Sequence, residues 1–213
     1  MSDAAKPALH DLTAHASHVG ESPARRLSTM AGALVGSEIL KIAADIRGLV
    51  AQGHKICNLT VGDFDPKQFA IPELLQQAVQ RALANHETNY PPANGMLELR
   101  HALQRYYERD LGLRYPLDSF LVAGGARPVI YGTYRTLVDQ GDTVIYPVPS
   151  WNNNHYVHMC GARGVQVVCG PETRFLPTGD ALLNELPSAR LVCLNSPLNP
   201  TGTAIDAEAL RGI

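Results

Sequence analysis

The sequence predicts an α/β fold: a mostly parallel sheet with helices on both faces. Three observations carry that expectation. From Phe120 onward, apolar strand-like runs centred on Val122, Val144, Val167 and Val192 alternate with helical stretches that start near Pro128, Asn152 and Asp180. That is the order a parallel sheet with crossover helices requires. The apolar run Phe120-Leu121-Val122-Ala123 then breaks into Gly124-Gly125-Ala126-Arg127 and at once opens a helix. A turn of this kind leaves backbone N–H groups at the positive end of a helix dipole, a ready anion site. Finally, the segments 124–127, 149–151 and 195–202 each follow a predicted strand end, where open α/β sheets hold their ligands.

Taken in order, residues 1 to about 30 are rich in Ala, Ser, His and Pro without a sustained period. They read as a mobile arm, or one ordered only against a partner. Ser37 is the expected cap of a helix with Ile39, Leu40, Ile42, Ala43, Ile46, Leu49 and Val50 on one face, ended by Gly53. A short strand is expected over 56–61, then a turn through Gly62-Asp63-Phe64-Asp65-Pro66. A second helix starts at Pro72 and is expected to bury Leu74, Leu75, Ala78, Val79, Ala82 and Leu83. The loop Tyr90-Pro91-Pro92-Ala93-Asn94-Gly95 leads into a third, with Met96, Leu99, Leu103, Tyr106 and Tyr107 on its apolar side. The helix after the glycine turn is expected to run from Pro128, which suits a first helical position, to Gln140, with Gly141 just past its end. The strand 143–146 then returns the chain's only tryptophan, Trp151, to the carboxyl edge of the sheet. A last helix is expected over 207–213 after Asp206.

Composition narrows the function classes. Of 213 residues, 45% are hydrophobic and 18% charged, ordinary for a globular protein, and a net charge of −2 leaves no electrostatic footprint for nucleic acid or an anionic membrane. No apolar run approaches the about 18 residues that span a bilayer. Cys57, Cys160, Cys169 and Cys193 show no Cys-x-x-Cys spacing and sit in or beside apolar stretches. They are expected to be buried free thiols of a reducing compartment, with a cytoplasmic location. His155-x-x-His158 has near-helical spacing but no third ligand near it in sequence, so no metal site is expected. The glycine turn matches neither Gly-x-Gly-x-x-Gly nor a Gly-Lys-Ser phosphate loop, and Ser150 lacks a Gly-x-Ser-x-Gly setting.

The most specific stretch is Asn195-Ser196-Pro197-Leu198-Asn199-Pro200-Thr201-Gly202, a stiff turn that follows a buried strand. Alone it could be a plain strand-to-helix turn. Taken with Leu59-Thr60-Val61-Gly62, Tyr90-x4-Gly95-x2-Glu98-Leu99-Arg100, Gly124-Gly125-Ala126-Arg127 and Pro149-Ser150-Trp151, it resembles fold-type I pyridoxal-phosphate enzymes. The closest likeness is to class I aminotransferases of the aspartate aminotransferase type, over the N-terminal half of that family. The resemblance implies that the amides of Gly125 and Ala126, with Arg127, hold the phosphate of pyridoxal 5'-phosphate and that Trp151 stacks on its ring. It implies that Asn199 donates to the ring's phenolic oxygen, that Tyr90 reaches the partner's phosphate across a homodimer, and that Gly62 and Val61 line the substrate carboxylate pocket.

On that pattern the domains are expected as a mobile arm (1–30), part of a small domain (31–70) and an incomplete cofactor-binding large domain (71–213). The family's reactive lysine, the carboxylate at the pyridine nitrogen and the arginine that grips substrate are all expected beyond Ile213. None of Lys6, Lys41, Lys55 or Lys67 follows Trp151. The function implied is amino-group transfer from an amino acid to a 2-oxo acid, by a chain that lacks the catalytic half and is inactive alone. A carbon–sulfur β-lyase of the same fold and a non-catalytic binding remnant are the alternatives.

Overall fold

The computed structural model describes residues 27–60, 62 and 65–213. The chain divides into two compact units: Gly36–Thr133, and Tyr134–Ile213 with the described part of Met1–Val35.

In the second of these, three strands form a parallel sheet: β1 (Thr143–Val148), β2 (Arg163–Val168) and β3 (Ala189–Val192), in the order β2-β1-β3. The central strand follows from its sequence. Thr-Val-Ile-Tyr-Pro-Val is apolar on both sides, and Thr143 through Pro147 are buried, as a parallel strand covered on both faces should be. Thr143 pairs with Arg163 and Val148 with Val168, while on the other side Ile145 pairs with Val192. Alternate side chains therefore face opposite layers. On one face Ile145, Val167, Cys169 and Leu182 form a core, with Val165, Val192 and Ile213 packed around it; Leu182 comes from the short helix α7 (Gly179–Leu183). On the other face Tyr146 sits against Gly164, where an added Cβ would meet the tyrosine ring at 3.2 Å and Val157 at 3.3 Å. Val157 belongs to α6 (Asn153–Cys160). Its neighbour Tyr156 lies 5.4 Å, ring to ring, from Tyr134 of α5 (Ala126–Leu137). Helices on both faces of a parallel sheet are thus as the sequence predicts. The outer strand β2 is an open edge where Val168 is 82% exposed.

Short elements close this unit. Ser28 caps α1 (Thr29–Gly32) through its side chain, and His158 Nε2 meets the Met30 carbonyl at 2.8 Å. Asp206 caps α8 (Ala207–Gly212) by accepting from the N–H groups of Glu208 and Ala209.

The unit Gly36–Thr133 holds α2 (Glu38–Ala51), α3 (Glu73–Ala84) and α4 (Leu97–Leu111), followed by a 3-10 turn at Leu117–Ser119. Helix α4 ends at Gly112, whose left-handed φ of 67° is the usual stop. Its Tyr107 packs edge-on to Phe120 at 5.4 Å and to Tyr115 at 6.3 Å.

Several expectations are corrected here. Residues 120–123 and 56–60 form no ladder; a strand exists only through its partner, and none pairs with either segment among the described residues. Helix α5 starts at Ala126 and ends at Leu137, so Pro128 sits in the first turn rather than at its first residue. It loses nothing there, since first-turn N–H groups have no intrahelical acceptor. Ser37 occupies the cap position of α2 but makes no side-chain cap bond. The apolar face of α3 is not buried: Leu74, Leu75, Val79 and Leu83 are exposed, and in α2 only Ala43 is buried. Amphipathic spacing groups these residues on one face, but spacing carries no information about a covering element. Of the thiols, Cys160 and Cys169 are buried and Cys193 half-buried, whereas Cys57 is exposed in the unpaired stretch before Gly62.

Candidate functional site

In the helical unit the site begins at the mouth of α5. Gly125 has φ of 113°, a conformation that disfavours any side chain, and its N–H donates to the Ala123 carbonyl at 2.8 Å. Gly124, Gly125, Ala126 and Arg127 are all exposed, and nothing lies within 4 Å of where a Cβ would project from either glycine. The turn is therefore open to a ligand on its outer side. The N–H of Ala126, as the first of an α-helix, has no acceptor inside that helix, and no acidic residue occupies the first turn to compete with an anion.

The stalk of that turn is pinned by the Tyr90 loop. The N–H of Val122 donates to the Asn94 carbonyl at 3.1 Å, and Gly95, with φ of 101°, packs so closely that a Cβ there would lie 2.6 Å from Val122 Cβ. Tyr90 itself is fully exposed. Gly62 is exposed with open space where a Cβ would stand, and Val61 lies outside the described residues.

In the sheet unit, β1 and β3 are adjacent and parallel, so the segments that leave their carboxyl ends share one edge. After β1 comes half-buried Trp151, followed by Asn152 in the left-handed region at φ 63°, then α6. After β3 comes the loop from Asn195. The Asn195 side-chain oxygen accepts the Asn199 N–H at 2.9 Å, and Ser196 Oγ accepts the Ile205 N–H at 2.9 Å. Leu198 is 3% exposed and its backbone is closed on both sides, by Thr203 O and Gly202 N at 2.7 Å each. The buried Leu198 anchors the loop while its neighbour Asn199 faces outward and exposed. The segments that carry Trp151 and Asn199 thus both follow carboxyl ends of adjacent parallel strands; Gly125, Ala126, Arg127, Tyr90 and Gly62 belong to the other unit.

Beneath this edge lies a buried polar group that the sequence did not single out. Tyr134 donates to Asn153 Oδ1 at 3.0 Å. Burial, then the neighbouring Cys193 thiol, pushes the Tyr134 hydroxyl well above its ordinary range. Burial likewise raises Cys193, which the Tyr134 hydrogen bond only partly offsets, so both stay protonated at neutral pH. Cys193 stands two residues before Asn195, so the cluster is a neutral support for the loop. In the sequence Asn195 opens the motif without a role of its own; in the structure it holds Asn199 through the Asn199 N–H. No comparable pattern marks Tyr134 and Asn153, which are 19 residues apart.

Residues 54–213 match the family model for aminotransferase class I and II. The chain belongs to that family. Within it, this aminotransferase chain is 34% identical over 202 residues to an aspartate aminotransferase of Rhizobium meliloti (strain 1021), covering 94% of this chain and 48% of that protein. The aspartate aminotransferase of Thermus thermophilus with maleate superposes with a TM-score of 0.81 at 32% identity, over 87% of this chain and 48% of that one. An alanine aminotransferase from Pyrococcus furiosus gives 0.79 at 26% identity, over 88% and 48%. The chain spans about half the length of the curated relatives it matches. No helix of the described residues is long and apolar enough to cross a membrane.

Proposed function

We propose that the protein to which these residues belong is a pyridoxal 5'-phosphate-dependent aminotransferase that moves an amino group from an amino acid to a 2-oxo acid in cytoplasmic amino-acid metabolism. The observation that supports the reading is the match of residues 54–213 to the class I and II aminotransferase family, in a chain whose Trp151 and Asn195-anchored Asn199 segments both follow the carboxyl ends of the adjacent parallel strands β1 and β3. The residues present fit the cofactor. Gly124 and Gly125 leave open space on the outer side of an exposed turn at a helix mouth, as a phosphate needs. A flat indole and an outward amide suit a ring that carries an ionised oxygen.

When bound, the cofactor supplies an electron sink for the bond-breaking at the amino acid. The chain's own part is to hold and orient it. Ala126 and Arg127, with Gly125 once its N–H turns from Ala123, hold the phosphate at the positive end of α5. Trp151 covers one ring face and excludes water, a contact worth about 1 kcal/mol beyond burial. Asn199 donates its amide to the phenolic oxygen and keeps that oxygen anionic. Tyr90, fully exposed, would reach a second subunit's phosphate, and Gly62 with Val61 would meet a substrate carboxylate. Residues 71–213 are the cofactor-binding portion of the large domain, and 31–70 part of a smaller one.

No lysine follows Trp151 among these residues, so the 213-residue chain by itself is proposed to be inactive. The test is to express the full-length protein, add aspartate, glutamate or alanine with a 2-oxo acid, and measure the new 2-oxo acid alongside the cofactor's absorbance. Transfer with at least one pair is expected. Release of pyruvate and ammonia without transfer would instead point to β-elimination, and no absorbance change with any amino acid would sink the reading.

A further inference from the structure

The segment Gly95-x4-Arg100 has no part in the roles above, yet Arg100 is the one buried charged residue among the described residues, at 6% exposure. Its guanidinium faces the stalk of the glycine turn. Nε donates to the Phe120 carbonyl at 2.9 Å, and Nη2 donates to the Leu117 carbonyl at 2.8 Å and to Asp118 Oδ1 at 3.2 Å. Asp118 is almost wholly exposed, so the ion pair is solvent-screened and the two carbonyl bonds are the substance of the contact. A planar fork that meets carbonyls on residues three apart in sequence is a geometry a lysine cannot reproduce.

We infer that Arg100, together with Gly95, is a positioning residue for the phosphate-binding turn. The inference rests on the reading of Gly125 and Ala126 as phosphate donors. Arg100 fixes Leu117 and Phe120, and the Asn94 carbonyl with the close face of Gly95 fixes Val122. Only Ala123 and Gly124 then separate the last pinned residue from Gly125. Glycine linkages are soft, so the pose of the exposed amides depends on how firmly the stalk is held. The same clamp fixes the end of the Tyr90 loop, because Asn94 and Gly95 close it and the Gly95 N–H donates to Pro92 O at 2.9 Å. Two segments read as phosphate contacts in two different sites are thereby bound to each other.

The test uses the full-length protein stripped of cofactor and measures dissociation constants for pyridoxal 5'-phosphate and for pyridoxal, which differ only by the phosphate. The pyridoxal constant divided by the pyridoxal 5'-phosphate constant reports phosphate grip alone. Arg100→Gln is expected to lower that ratio by about tenfold or more, as befits a misplaced anion site. Arg100→Lys is expected to recover part of it, and Arg109→Gln, which removes an exposed pair with Asp110 on the same helix, to leave it unchanged. The ³¹P chemical shift of bound cofactor should move in Arg100→Gln and not in Arg109→Gln. If Arg100→Gln keeps the wild-type ratio within about twofold, or weakens both ligands equally, the positioning role is wrong. If that variant does not fold, Arg100→Lys and Gly95→Ala decide on the same criterion. A wild-type ratio near one would overturn the phosphate reading of the turn itself, a separate result.

Discussion

Gly95→Ala is the sharpest test of how the Tyr90 loop and the glycine turn are joined, because a control glycine that also has a positive φ lies in the same unit. Gly95 has φ of 101° and Gly112 φ of 67°, so an alanine at either position is pushed into left-handed territory at a cost of about 1–2 kcal/mol. At Gly112 that is the whole cost, since nothing lies within 4 Å of a Cβ. At Gly95 the new methyl would stand 2.6 Å from Val122 Cβ and 2.9 Å from its Cγ2. Val122 is β-branched and held by its own N–H to Asn94 O, so it cannot swing aside without breaking that bond. Overpacking of this kind adds about 1–3 kcal/mol. Urea unfolding of the full-length protein should therefore place Gly95→Ala below Gly112→Ala by about 1–3 kcal/mol at unchanged m-value. Equal losses, within about 0.5 kcal/mol, would refute the close packing of the loop on Val122.

Leu182→Ala, at a position with 0% exposure in the core over one sheet face, should cost about 2–5 kcal/mol by urea unfolding; a loss under about 1 kcal/mol would mean the site collapses or was never packed. Tyr134→Phe should cost about 1–3 kcal/mol by leaving Asn153 Oδ1 buried without its donor, and a double-mutant cycle with Asn153→Ala should recover a coupling; additive losses would dissolve the pair. The buried thiols set a pH dependence. Cys169 and Cys193 are raised above the ordinary 9.0 in the folded chain, so between that value and their folded values the unfolded chain binds fewer protons than the folded one. The contribution of these two thiols should be constant below about pH 8 and fall as pH climbs past 9. The fall should be shallower in Cys193→Ala, and a urea midpoint that rises over that range would contradict the burial of both groups.

The sequence was informative where a local rule decides the outcome. The central strand β1 was legible because an apolar run on both faces leaves a chain few choices. The start of α5 was legible to within two residues because glycines followed by Pro128 admit a helix and little else. The Asn195 loop was legible as a stiff turn because its prolines remove backbone freedom. What was not legible depends on a partner. Residues 120–123 carry the composition of a strand, yet composition cannot supply the neighbour that makes a ladder, and the segment is held instead by Arg100, Asn94 and Gly95.

The same distinction explains the candidate site. Residues such as Asn199 and Trp151 announce themselves because their neighbours are unusual: prolines, a cap, the only indole. The groups that hold the surrounding segments in each unit do not. Asn195 is an ordinary asparagine until its side chain is seen accepting the Asn199 N–H, and Arg100 is an ordinary helix arginine until its fork is seen on two carbonyls. Tyr134 reaches Asn153 across helix α5 to helix α6, a meeting set by the sheet beneath both. Contact residues are chosen for their chemistry and carry it in their type; support residues are chosen for their reach, which only the folded backbone defines. It follows that substitutions at Arg100 should alter how firmly the glycine turn is held, and those at Asn195 how firmly Asn199 is held, each within its own unit, a separation that the phosphate ratio and the stability measurements can resolve.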